Sequence, residues 1–513
     1  MLRKIRLLTT YHQLSALRVL FLCLVSSVLL ILSFPNFNIW LLAWFGFVPL
    51  FFAIRNKSKG KAFLLFYFTG VIFWLGIIYW LIHVTVIGMV ILILYLALYF
   101  GIFGLIISTI KHKQSSINLL FIPSLWVILE YLRSHLFTGF GWALLGYSQY
   151  LNLPVIQIAD ITGSYGVSFL VMTMNVAIWQ VIQQVRSRTP EVKKILVTYL
   201  PFFLFFLCVL GYGYHNLFRA PTAEKAQRVR ISIIQGNIAQ SIKWDAQERS
   251  FILNKYLDLS KQAAKDRPDL VVWPESAYPD YLMAEEFSKD IKQQLFSLKI
   301  PLLIGVVIQE DERYYNSALL ISKNCDIIQR YDKIHLVPFG EYIPLKKIFP
   351  FLNTVVPIGD FTTGEMYTVF TTPARFAVLI CFEDIFPELS RKFVAQGANF
   401  LTNITNDAWF SKTSSPYQHL QASVFRAVEN RTPLVRAANT GISCFINPQG
   451  KIISWVRDYK DQDIFVSGYK TEEFDLKITD SFYTRFGDIF VIGCLVGIIY
   501  GTIINLFFDK RLS

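Results

Sequence analysis

One thiol and the residues able to activate it are the natural starting point. Residues 377–380 (AVLI) form a short apolar run that suits a buried strand, and Cys381 follows where acidic residues begin. That places the sulfur at a strand end, facing a pocket. Taken alone, a free cysteine there reads equally well as a small buried residue. A thiol with an ordinary pKa near 8.5 is mostly protonated at neutral pH, so a nucleophilic Cys381 needs a base or a nearby cation. The attacked carbonyl then needs a fixed donor or cation for its oxyanion. Both are present. The run LVVWP (270–274) delivers Glu275 at its end, and RYDKIHLVPFGE (330–341) places Lys333 just after another candidate strand.

The segments WPES, YDKIHLVPFGEYIP and LICFED together resemble the nitrilase superfamily, whose Glu-Lys-Cys triad occurs in this chain order with each member at a strand end. They look closest to one branch, the apolipoprotein N-acyltransferases. The resemblance implies an αββα sandwich with Glu275 as general base, Lys333 stabilising the tetrahedral intermediate and Cys381 as nucleophile. Glu341 and Glu383 match two further family carboxylates that would orient Lys333 and hold its loop. Phe382 stands where a tyrosine is frequent, which removes a hydroxyl but keeps a ring. Trp244, in SIKWD, and Asn316, in YYNSA, match family positions that packing would explain equally well. NITNDAWF (403–410) and YQHLQASVFR (417–426) also fit this branch. His419 is the rival base of a Cys-His enzyme, but Glu275 and Lys333 already fill the roles.

What the resemblance implies chemically is transfer of a fatty acyl chain from a phospholipid to Cys381 as a thioester. The chain then passes to the α-amino group of the S-diacylglyceryl cysteine of an apolipoprotein. No metal or organic cofactor is implied. The rival readings are a membrane-anchored carbon-nitrogen hydrolase using the same triad with water, and a non-catalytic membrane scaffold. The intact triad speaks against the scaffold, and many membrane spans speak for lipid substrates.

Composition agrees with a membrane setting. Of 513 residues, 54% are hydrophobic and only 17% charged, which excludes an ordinary soluble enzyme. A net charge of +13 suggests nucleic acid at first sight, yet the basic residues cluster beside apolar segments, as membrane topology requires. The six cysteines show no CxxC pattern, so neither a zinc site nor a disulfide framework is indicated.

Stretches long enough to cross a bilayer, at roughly 20 residues each, fall near 17–34, 38–54, 62–82, 86–110, 117–137, 165–185, 195–215 and 487–508. The expected organisation is therefore a seven-helix membrane bundle over 1–215, an extramembrane α/β domain over 216–486, and an eighth span with a tail over 487–513. Basic clusters precede the first span, follow the second, fourth and sixth, and end the chain, all on one side of an eight-span drawing. Both termini are then cytoplasmic and 216–486 lies outside, in the periplasm of a Gram-negative inner membrane.

Inside the fifth span, Glu130 and Arg133 are spaced to meet on one helical face; a structural tie to neighbouring helices is the favoured reading over a functional one. The next segment, TGFGWALLGYSQYLNLP, either lines a lipid-accessible opening or forms an interfacial aromatic belt. Beyond Val229, short β-runs alternate with helices near 245–264, 285–298, 386–396 and 417–430, a layered α/β pattern that does not by itself separate a sandwich from a doubly wound sheet. The proline-broken apolar segment 348–361 is either a packed loop or an arm that dips into the lipid surface.

Overall fold

The computed structural model describes residues 15–110, 117–187, 192–218, 227–278, 280–282, 295–296, 298–343, 361–476 and 480–510. The chain sorts into two units, one of 1–133, 168–207 and 491–513, the other of 134–167 and 208–490.

The first unit is helical. Its main elements are α1 (Ala16–Leu32), α2 (Lys59–Ile78), α3 (Val86–Ile107), α4 (Asn118–His135), α5 (Ala159–Val185), α6 (Val192–Phe218) and the C-terminal helix Ile489–Lys510, the ends of several of which run into the second unit. Four described helical stretches are long and apolar enough to cross a membrane: Lys59–His83, Val86–Ile107, Ala159–Val185 and Leu196–Phe218. Two of the other expected spans fall short for visible reasons. The expected span at 38–54 is not one helix but a tight turn, Trp40–Trp44, and a short helix, Val48–Ala53, with a proline in its first turn. Helix α4 carries Pro123 together with the buried Glu130 and Arg133. Helices α2 and α3 pack through small residues: a Cβ on Gly104 would lie 2.5 Å from the Phe66 ring, and one on Gly70 2.9 Å from Phe100. Arg133 lays its guanidinium 4.8 Å from the centre of the Trp74 ring, which ties α4 to α2.

In the second unit, two sheets carry the fold. The first runs β13–β1–β2–β4–β5–β6, made of β1 (Gln227–Gln235), β2 (Leu270–Val272), β4 (Leu302–Glu310), β5 (Arg313–Ile321), β6 (Ile327–Asp332) and β13 (Gly468–Leu476), with the short β3 (Tyr281–Leu282) beside β4. The second runs β12–β11–β10–β9–β8–β7, made of β7 (Val369–Phe370), β8 (Phe376–Ile380), β9 (Phe400–Thr405), β10 (Leu434–Ala438), β11 (Cys444–Ile446) and β12 (Ile452–Trp455). Strands β1, β2 and β4 are parallel, as are β8, β9 and β10. All residues of β8, β9 and β10 are buried, as expected of strands covered on both faces.

Helix α7 (Arg249–Ala263) covers the first sheet, burying Ile252, Tyr256 and Leu257 against Trp273 and alternate residues of β4. The Tyr256 and Trp273 rings stack at 5.0 Å. Helices α8 (Pro387–Ala395) and α9 (Ser415–Asn430) accompany the second sheet. Three of the four expected helices are thus present, the first of them starting four residues late; 285–298 falls almost wholly outside the described residues, as does 348–361.

Segment 134–167 groups with this unit, and α9 explains why. Every residue of α9 except Tyr417 is buried, although it contains Gln418, His419, Gln421, Arg426 and Glu429. Their partners include residues of that segment. Trp142 Nε1 donates to Gln418 Oε1 at 2.7 Å, Gln421 Nε2 donates to the Tyr147 carbonyl at 3.0 Å, and Glu429 accepts from the Ser164 N–H at 2.9 Å. Just after α9, Arg431 pairs with Asp160 at 2.7 Å. The glycine- and aromatic-rich stretch is therefore a packed cover over a polar helix.

Candidate active site

The carboxyl ends of parallel strands are where an open pocket forms in layered α/β folds. Glu275 follows β2, Cys381 follows β8, and Lys333 follows β6, each at the end of its strand.

The turn carrying Glu275 lies directly on β4, where the Ala277 N–H donates to the Gly305 carbonyl at 2.8 Å. Only glycine permits this approach, because a Cβ at 305 would sit 2.4 Å from the Pro274 carbonyl oxygen and 2.6 Å from the Glu275 Cα. Cys381 opens a tight helical turn (Cys381–Ile385) with φ at +56°, a left-handed conformation that is costly for a side chain bearing a Cβ. The surrounding hydrogen bonds hold it there. Asn403 Nδ2 donates to the Cys381 carbonyl at 2.8 Å, while the Asn403 oxygen accepts from Arg436.

Lys333 is 1% exposed and lies between two carboxylates, 2.9 Å from Glu341 and 3.7 Å from Glu275. Asn316 links the same two, donating to Glu275 at 2.8 Å and to Glu341 at 2.7 Å. Burial alone would push the Lys333 ammonium down, but Glu341, Cys381 and Glu275 together hold it above the ordinary lysine value. The Phe382 ring lies 5.3 Å from Lys333 Nζ. Glu383 is fully buried and accepts from four donors: the Tyr331 hydroxyl and the N–H groups of Ile334, His335 and Ile380, at 2.7 to 3.0 Å. One carboxylate thus ties the residue before Cys381 to the two residues after Lys333.

The Cys381 thiol is raised above its ordinary pKa, first by burial and then by the Glu275 charge, with Lys333 opposing. The sulfur is therefore protonated at neutral pH and reacts only when a base removes its proton.

All three members of the expected triad, together with Glu341, Glu383, Asn316 and Phe382, are joined in this one set of contacts. Trp244 is 41% exposed, on the loop after β1. His419 makes none of these contacts but adjoins the Cys381 turn: it is buried 2.8 Å from Asp384, a residue of that turn, and 3.2 Å from Asp407, with Arg436 against its ring. Burial and Arg436 push its pKa down, and the two aspartates outweigh them and raise it. One residue went unread in the sequence. Lys243, neighbour of Trp244, is 3% exposed and donates to the Glu275 main-chain carbonyl at 3.2 Å. Its loop, residues 236–248, is mostly polar, so nothing local singles this lysine out.

A two-sheet α/β unit with Glu, Lys and Cys at converging strand ends is that of a carbon-nitrogen hydrolase-type enzyme, and the profile described as carbon-nitrogen hydrolase matches residues 230–464. The profile described as apolipoprotein N-acyltransferase N-terminal domain matches residues 26–177. Apolipoprotein N-acyltransferases of Geobacter metallireducens and Haemophilus influenzae are similar to this chain. The first is 42% identical, covering 93% of both chains, and the second 30% identical, covering 84% of this chain and 85% of its own. A third, from Chlorobaculum tepidum, is 29% identical, covering 93% of this chain and 94% of its own. The chain belongs to the apolipoprotein N-acyltransferase family, and it is an enzyme.

Proposed function

We propose that this enzyme acylates the α-amino group of the lipid-modified N-terminal cysteine of apolipoproteins, drawing the acyl chain from a membrane phospholipid through a thioester on Cys381. Glu275 takes the thiol proton as sulfur attacks the ester carbonyl, and Lys333 stabilises the oxyanion that forms. Collapse breaks the ester C–O bond; the lysophospholipid oxygen leaves with the proton from Glu275, and the acyl group stays on sulfur. In the second half the acceptor amine attacks the thioester carbonyl, the C–S bond breaks, and sulfur recovers a proton through Glu275. Glu341 and Asn316 keep Lys333 and Glu275 apart and oriented, and Glu383 holds the Cys381 turn against the Lys333 loop.

The observation that carries this reading is the buried Lys333 held between Glu275 and Glu341 beside the Cys381 turn, within a chain whose relatives of matching length are named for N-acylation. Purified enzyme incubated with phospholipid vesicles should gain one fatty acyl mass that hydroxylamine removes. Cys381→Ala should abolish it, whereas Cys325→Ala and Cys444→Ala should retain it; acylation surviving in Cys381→Ala refutes the assignment. The hydrolase alternative would show acyl release to water at the rate of thioester decay, with no transfer to a diacylglyceryl-cysteine peptide.

The eight-span topology belongs to the same proposal, with both termini cytoplasmic and the catalytic unit on the outer side of the inner membrane. It is supported by the lysine- and arginine-rich loops falling on one side. Reporter fusions after Lys59, Lys113 and Arg188 should then read as cytoplasmic, and fusions within 220–480 as external. A cytoplasmic signal from 220–480 would overturn it.

A further inference from the structure

Two lysines, not one, reach the site. Lys333 is locked between carboxylates, but Lys243 is held differently. Its loop is pinned to the second sheet: Asn439 accepts from the Ile238 N–H and donates to the Ile238 carbonyl, both at 2.8 Å, and Asn406 donates to Gln240 at 3.0 Å. The loop thereby delivers Lys243, 3% exposed, onto the main-chain oxygen of Glu275, at 3.2 Å. A main-chain carbonyl fixes the amine in place without supplying a full counter-charge.

Resting on the acyltransferase reading above, we propose that Lys243 takes the proton from the acceptor's α-ammonium in the second half-reaction, so that the amine attacks the Cys381 thioester in its neutral form. Only a neutral amine has a lone pair to attack. As the second ammonium enters the pocket the pair loses one proton to solvent, which frees Lys243, and the α-ammonium then gives a proton to the Lys243 amine, which becomes ammonium. The amine nitrogen then bonds to the thioester carbon, its next proton goes to Glu275, and the departing sulfur takes that proton as the C–S bond breaks.

The match between the two amines supports this assignment. An α-amino group has a pKa of about 7.7–8.0, and burial pushes Lys243 down to about 8, against Glu275 and Cys381, the two titratable groups that act on it. Two ammonium groups brought together in a low-dielectric pocket repel, so the pair holds a single proton shared at little cost. Lys333 cannot serve, because Glu341 and Glu275 keep it charged.

The test separates the two half-reactions in the full-length enzyme. Cys381 is first acylated from phospholipid vesicles and excess lipid removed; a synthetic diacylglyceryl-cysteine peptide is then added, and thioester loss and peptide acylation are followed by intact mass from pH 6.5 to 9. Lys243→Met removes the amine. Lys243→Arg keeps a donor for the Glu275 carbonyl but cannot accept a proton. Without the acceptor lysine only the free-amine fraction reacts, about one-tenth at pH 7. A proton shared between matched amines leaves the α-amine neutral about half the time in the wild type, so in both variants peptide acylation should fall about fivefold more than Cys381 acylation at pH 7, with the gap closing to under twofold by pH 9. Equal slowing of both half-reactions, a gap that does not change with pH, or recovery of peptide acylation in Lys243→Arg would each overturn the proposal. A wild-type enzyme that forms no thioester would instead remove the acyltransferase reading on which it rests.

Discussion

Replacing Glu383 by glutamine is a small change in shape with a calculable effect. The carboxylate receives three hydrogen bonds on Oε1, from Tyr331, Ile334 and His335, and the Ile380 N–H on Oε2. A glutamine keeps most by placing its carbonyl at the Oε1 site, but its NH2 then faces the Ile380 N–H, donor against donor. Leaving that buried N–H unsatisfied costs about 1–3 kcal/mol, and losing the charge on the other three bonds costs about 0.5–1 kcal/mol each. The expected loss of stability is therefore about 2.5–6 kcal/mol. Catalysis should suffer separately, because Ile380 precedes the strained Cys381 turn and a displacement of about 1 Å costs on the order of a hundredfold in rate. Thermal unfolding of the detergent-solubilised protein, run beside intact-mass measurement of thioester formation well below the transition, reads both. Unfolding unchanged from wild type, with thioester formation within twofold, would refute the idea that this carboxylate organises the site.

Other expectations follow from the same geometry. Glu275→Gln and Lys333→Met should each lower thioester formation at least a hundredfold in protein that still folds, since one removes the base and the other the oxyanion's cation; near-wild-type acylation in Lys333→Met would take lysine out of the mechanism. Because the Cys381 thiol is raised, its thiolate fraction at pH 8 lies below that of an ordinary cysteine. Iodoacetamide labelling of Cys381 should be slow at pH 8 and still climbing at pH 10, and Lys333→Met should slow it further; a labelling rate that levels off near pH 8.5 contradicts this. Gly305→Ala places a methyl where the Glu275 turn must lie. It should destabilise the unit by about 1–3 kcal/mol and depress acylation more than an alanine elsewhere in β4, as unfolding and mass measurements together will show.

The triad was legible because Glu275 and Cys381 end short apolar runs and Lys333 follows a candidate strand, and a strand end is a local property. Glu341, Glu383 and Asn316 were readable only through resemblance to known motifs, since nothing in the composition around Glu383 says that four donors converge on it. Lys243 was missed because its meaning depends on Asn439 and Asn406, some 160 to 200 residues away in sequence, which pin its loop. Helix α9 shows a different limit. Nothing local says that its polar residues are buried; they are because segment 134–167 covers them, a tertiary fact with no local signature. Among the membrane segments, hydropathy found the apolar stretches but not their breaks, so 38–54 looked continuous where the chain turns at Trp40–Trp44.

The cover formed by 134–167 also bears on how such an enzyme arises and how it can be dissected. The segment runs from the end of α4 into the first turns of α5, more than 200 residues ahead of the Cys381 turn, yet it satisfies Gln421, Glu429 and Arg431. A fragment beginning near 216 would leave Arg431 without its Asp160 partner and strip Trp142 from Gln418, uncovering a face of α9 built to be dry. The catalytic half is thus not a detachable soluble enzyme on a stalk. Its hydrolase-like part and the stretch between two apolar helices are interleaved, so a change in one constrains the other, and neither is expected to be exchanged by simple domain shuffling.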